Sequence, residues 1–168
     1  MRKRNRMWQW LILTATHLAM LAMGFVGGIY ALPILTAPRS PDAAAFGSIA
    51  AETIYSTRLR RNLSGSDLLH WGEGEIRVSR DRIAHIGRLA PGPDYKLYLA
   101  KRFVDTKEAF LSIKEESLRV GDVRTFKGFI VELPAGVDVR RYTTIVIWCE
   151  AFDQFISAAE YQATLAAR

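Results

Sequence analysis

The chain has one cysteine among its 168 residues, so no disulfide can form within it. Methionine is confined to Met1, Met7, Met20 and Met23, which rules out histidine–methionine haem ligation in the remainder. No HxxxH, CxxC or DxDxD spacing occurs, so the common zinc and calcium signatures are missing. The GEG element at 72–74 is not a dinucleotide fingerprint, because no strand–helix unit surrounds it. Ser66, His70 and Asp94 have the residue types of a hydrolytic triad, but no elbow motif supports one. There is no internal repeat and no low-complexity tract.

Acidic residues are absent from the first segment, where Arg2, Lys3, Arg4 and Arg6 supply four of the six net positive charges. The rest of the chain is left with a net +2, too little for a phosphate-binding face. Arg58, Arg60 and Arg61 cluster without interleaved aromatics and read as a solvated strand edge. A nucleic-acid partner is therefore not expected.

What is present first is a long apolar run. Residues 8–32 (WQWLILTATHLAMLAMGFVGGIYAL) contain no charged side chain. As a helix, the step from Trp10 to Tyr30 covers roughly 30 Å, the thickness of a hydrocarbon core. Trp8 and Trp10 at one end and Tyr30 at the other suit the two interfacial belts. The basic cluster keeps the N-terminus in the cytoplasm and sends the C-terminal domain outward. A cleaved signal peptide is the rival, but its core is about 7–15 residues and ends in a small-x-small site. Here the core is longer, and Leu35-Thr36-Ala37 runs into Pro38. Either reading exports the domain.

Gly24 and Gly28 form a GxxxG pair, a spacing that lets two helices approach, so a homodimer through them is one option. Glycine is also simply common in membrane helices. His17 lies mid-run, but a single histidine that can stay neutral is weak support for a site.

Pro33, Pro38 and Pro41 end the helix and stiffen the exit. Residues 42–53 form a short helix or a spacer. Beyond them the pattern is mainly β: 54–63, a hairpin of 75–78 with 82–89 around Ser79-Arg80-Asp81, then 96–99, 126–133 and 143–149. The last (TTIVIWC) is apolar on both faces, as a central buried strand would be. Residues 105–116 break the pattern: Asp105 with Glu108 reads as a capping box, and Ala109, Phe110 and Ile113 fall at helical spacing.

Two places carry chemistry. Cys149 shares a strand face with Ile145 and Ile147, which predicts a buried, unreactive thiol. Glu150 and Asp153 would raise its pKa if they came close, and only Arg140, Arg141 or His70 offers an activating cation. The second place is the LLHWGEG run at 68–74, where His70 and Trp71 either line a pocket or pack at a turn. His70 and His85 make a bis-histidine haem site only if both face one cavity.

The runs GPDYKLYL (92–99), LPAGVD (133–138), Tyr142, IVIWC (145–149) and Phe152 together resemble the DM-thirteen domain family over about residues 58–161. The resemblance implies a small β-sandwich-like extracellular module with a proposed part in electron transfer. In animals it stands beside DOMON and b-type cytochrome modules, and in bacteria alone behind a membrane anchor. Cys149 then occupies the family's cysteine position, flanked by Trp148 and Phe152. That makes Cys149 the candidate redox residue, with His70, Trp71 and Trp148 as candidate contacts to a cofactor, haem being the one to test. The chain departs from the animal pattern at 101–125, where the helical stretch looks inserted.

The expected fold is all-β, sandwich or barrel-like, with one short inserted helix and a preceding transmembrane helix. The expected organisation is a cytoplasmic tail (1–7), an anchor (8–32), a linker (33–53), a DM-thirteen-like domain (54–161) and a tail (162–168). The expected location is the inner membrane, single-pass, with the C-terminal domain periplasmic. Two functions fit: a redox or electron-relay accessory module using Cys149, or a non-catalytic module binding an envelope protein or polymer while Cys149 only packs. Neither assigns an enzymatic reaction.

Overall fold

A computed structural model describes residues 2–162, with side chains from Arg6 onward. Residues 163–168 of the expected tail, and the side chains of Arg2, Lys3 and Arg4, lie outside the described residues.

Helix α1 (Arg2–Thr36) contains the apolar run. Its span Arg6–Thr36 is long and apolar enough to cross a membrane, and none of its most apolar stretch is buried against the chain. Pro33 does not end it. The helix continues one more turn to Thr36, whose hydroxyl donates to the Leu32 carbonyl at 2.8 Å. It stops just ahead of Pro38, which forces the residue before it out of helical geometry. A second helix, α2 (Ala43–Ala50), forms in the stretch that reads as either helix or spacer, because Asp42 caps it, accepting from the Ala45 amide at 2.9 Å. Its Ile49 is fully buried, so α2 is fastened to the domain.

The domain is a sandwich of two antiparallel four-stranded sheets. One sheet has the order β1 (Tyr55–Leu59), β2 (Gly72–Val78), β3 (Arg82–Leu89) and β6 (Phe129–Glu132). The other has β5 (Leu118–Val123), β4 (Tyr95–Ala100), β7 (Thr144–Cys149) and β8 (Gln154–Glu160). The expected hairpin closes at 79–81, where the Ser79 amide donates to the Arg82 carbonyl at 2.8 Å and the Ser79 hydroxyl to Asp81 at 3.0 Å. The sheets meet at both edges. Thr57 of β1 donates its hydroxyl to the Glu160 carbonyl of β8 at 2.7 Å. Beside β6, a Cβ on Gly121 would lie 2.6 Å from Val131, so β5 approaches this closely only without a side chain there.

The core between the sheets takes Ile76, Val78 and Ile83 from one side and Leu97, Leu99, Ile145 and Ile147 from the other. Each such side chain contributes about 1.5–3 kcal/mol through burial. Strands β4 and β7 are buried along all six residues. Their second faces meet a smaller cluster in which Tyr98, Val146, Trp148, Phe155 and Ala158 pack against Phe110 and Ile113. This is why TTIVIWC is apolar on both faces: the segment after β4 folds back as a lid on the outer side of the sheet.

That segment is a short helix, α3 (Lys107–Leu111), followed by a 3-10 turn (Lys114–Glu116). Its cap is Thr106, not Asp105; the Thr106 hydroxyl accepts from the Ala109 amide at 3.2 Å. A helix starting one residue later leaves Glu108 one position short of the reciprocal capping bond. Asp105 instead accepts from the Ser64 hydroxyl at 2.6 Å.

Two strands have no counterpart in the expected pattern. β8 (QFISAAE) is rich in alanine, and β5 (LRVGDV) is interrupted by glycine and charge, so neither shows strand propensity. Pairing with β7 and β4 creates them, with register shifts at Ile147/Trp148 and Leu97/Tyr98.

Candidate functional site

Cys149 ends β7 on the core face, 2% exposed. Directly opposite on β4 is Tyr95, and the Glu150 amide donates to the Asp94 carbonyl at 2.9 Å. The GPDY turn and the WCE corner are thus one structural unit, although more than fifty residues separate them in the chain. After Cys149 the chain reverses through 150–153, with Asp153 in the left-handed region at φ 46°, a conformation aspartate tolerates better than most residues.

Burial pushes the Cys149 thiol above its ordinary pKa; backbone amides of Phe152, Asp94 and Ala151 oppose that shift without overcoming it. None of these main influences is a cation. Glu150 does not face the sulphur. Its carboxylate accepts from the Lys114 ammonium at 2.7 Å and from the Tyr98 hydroxyl, both on the outer side of the sheet. Burial therefore holds the thiol protonated.

Tyr95 is itself buried, and burial raises its phenol pKa strongly, with the neighbouring Cys149 adding to the effect. Its ring folds back over Gly92, where a Cβ would lie 2.4 Å from the ring, so the glycine is required for this rotamer. Phe126 meets it edge-on at 5.9 Å. Tyr95 also lines a cavity of about 250 Å³ at the foot of α1, shared with Pro33, Thr36 and Pro38. Beside it, buried Lys96 pairs with Asp94 at 2.5 Å and Asp122 at 3.0 Å. Asp122 also receives Arg119 at 3.0 Å and Arg124 at 3.1 Å. Hydrogen bonds from Lys96, Arg124 and Arg119 hold the Asp122 carboxyl far below the usual carboxylate range.

Trp148 lies on the other face of β7, fully buried. Phe110 packs on it at 5.0 Å, the Lys114 ammonium sits 5.2 Å from its ring centre, and its indole N–H has no partner. Cys149 and Trp148 therefore point into different clusters. His70 is tied into the loop before β2: its Nδ1 is 2.8 Å from Asp67, and the Leu69 and His70 amides cap the same carboxylate. Trp71 lies under the Arg61 guanidinium at 3.7 Å and lines a second cavity, of about 440 Å³. The structure does not bring Cys149, Trp148, His70 and Trp71 into one site.

His85, on the core face of β3, is fully buried beside Phe129, at 5.1 Å. Its Nε2 donates to the Glu73 carbonyl at 3.0 Å, Nδ1 has no partner, and burial lowers its pKa. His70 and His85 thus have separate surroundings, and neither of these two domain cavities is lined by histidine, cysteine or methionine. The lining of these two cavities therefore does not fit haem. No group of three or more His, Cys, Asp or Glu suited to a metal ion occurs among the described residues.

A family model described as Electron transfer DM13 matches residues 63–161. The chain belongs to the DM13 electron-transfer family. No curated protein and no solved structure matches it. The DM13 match begins after β1 and covers both halves of the Tyr95–Cys149 unit, the lid over Trp148 and all of β8. Sequence alone does not single out Tyr95 as a site residue. A signal for it is present, since it closes the GPDY run, but only the β4–β7 register shows that it faces Cys149.

Proposed function

We propose that this DM13 domain is an electron-transfer accessory module tethered by α1 to the inner membrane and facing the periplasm, with Cys149 as its redox residue. The observation that carries the reading is the Tyr95–Cys149 pairing: the lone thiol sits among backbone amides, against a buried tyrosine that reaches a cavity at the foot of α1. Tethering is supported by the apolar surface of α1, which the chain leaves uncovered and lipid would cover. Orientation follows from the basic residues at 2–6. In this reading 1–7 is cytoplasmic, 8–32 spans the bilayer, 33–53 joins it to the domain at 54–161, and 162–168 trails. Gly24 and Gly28 have open surface beside them, which a second copy of the helix would fill.

A lone cysteine is reversibly oxidised by exchange with a disulfide from outside the chain: its thiolate bonds to one sulphur, the other sulphur leaves as a thiolate, and a mixed disulfide remains, so the test is the state of Cys149 in the cell. Cells are quenched in acid and the thiol is alkylated before and after reduction. The expected result is a blocked fraction that reductant recovers and that shrinks under reducing growth. Complete alkylation before reduction under every condition would remove Cys149 from the mechanism.

The 2% exposure of Cys149 favours a second reading, in which the domain binds an envelope protein or polymer and the thiol only packs. That reading predicts the fully alkylatable outcome.

A further inference from the structure

The cavity of about 440 Å³ between the end of α1 and the base of the first sheet plays no part in the chemistry of Cys149. Its walls are apolar and aromatic: Tyr30 and Ile34 from the helix, Trp71, Leu89 and Phe126 from the domain. Two cations, Arg88 and Lys127, also line it, and no carboxylate does. Both are exposed, and among the described residues neither forms an ion pair, although Glu73 stands opposite Arg88 across β2 and β3. Arg61 over Trp71 adds a third positive charge at the same corner.

We propose that this cavity binds an anionic phospholipid of the outer leaflet, its phosphate held by Arg88 and Lys127, its glycerol region resting against Tyr30 and Ile34, and its acyl chains running down α1 into the bilayer. A volume of a few hundred Å³ with apolar walls and few polar groups is that of a small-molecule site. Two cations with no carboxylate in the cavity lining select an anionic head, and the apolar helix surface beside them selects an attached tail. Tyr30 is the interfacial aromatic of α1, so the cavity lies at headgroup depth. A free phosphate group would satisfy the cations but leave Tyr30 and Ile34 uncovered. The inference rests on α1 spanning the bilayer.

The test uses the full chain in a neutral detergent, with phosphatidylglycerol, phosphatidylcholine or inorganic phosphate added and bound lipid counted by native mass spectrometry. Phosphatidylglycerol is expected to bind with a preference over phosphatidylcholine of roughly 30-fold, the effect of two basic residues at an anionic surface. The R88A/K127A double variant is expected to lose that preference, and R88K/K127R to keep it. Equal retention of the two lipids, an unchanged double variant, or displacement by equimolar inorganic phosphate each overturns the proposal. Alkaline extraction of membranes is run in parallel: release of the protein would defeat the membrane reading itself, whereas retention without lipid preference would defeat only this site.

Discussion

Tyr95 and Cys149 are direct partners across β4 and β7, and the amide after Cys149 is bonded to the carbonyl before Tyr95. The buried tyrosine covers the thiol from the neighbouring strand, and the bond between the corner after Cys149 and the turn before Tyr95 ties the two together.

Because burial holds Cys149 protonated and covered, a maleimide should label the native protein at least about tenfold more slowly than the denatured protein at pH 7. Y95F keeps the ring and should label like the wild type. Y95A opens the wall and should label faster while losing about 3–5 kcal/mol of stability. Labelling rate and a denaturant melt read the two effects separately.

Trp148 fastens the lid. W148A should destabilise the domain by about 3–5 kcal/mol, since it removes a fully buried side chain from beneath Phe110. Hydrogen exchange should show residues 105–116 losing protection before β2 and β3 do. Equal loss of protection across both sheets would show that the lid is not a separate layer.

Asp122 sets the acid behaviour of the foot of the domain. Its carboxyl is depressed in the folded state, so its stabilising contribution is complete above the unfolded carboxylate pKa and disappears as pH falls through the folded one. D122N should therefore lower the melting temperature at pH 7, and the gap to wild type should narrow as pH drops below the ordinary carboxylate range. A gap independent of pH would mean that the ion pairs with Lys96, Arg119 and Arg124 contribute nothing.

The start of α3 separates the two candidate caps. T106A should cost about 1 kcal/mol, because it strands the Ala109 amide. D105A removes only the bond from Ser64 and should cost less. The reverse order in chemical denaturation would return the cap to Asp105.

Much of this molecule is legible along the chain, where the signal is local. An uninterrupted apolar run of helical length, the alternation of β2 and β3 around a polar turn, and a strand apolar on both faces each report their own surroundings. That Cys149 is buried also follows from its place beside Ile145 and Ile147. The alanine-rich β8 and the glycine-broken β5 are not legible, because they are strands only through the neighbours they pair with. Trp148 and Cys149 adjoin in sequence, yet the period of two along β7 sends one under the lid and the other into the core.

By itself, then, the sequence determined an apolar N-terminal helix, a mainly β domain behind it and a buried thiol, since periodicity and composition depend only on nearby residues. Tertiary structure alone decided that Tyr95 faces Cys149, that His70 and Trp71 lie away from it, and that Arg88 and Lys127 face the end of α1 across a cavity. Those relationships depend on strand register and on how the sheets close against each other, which distant residues settle together.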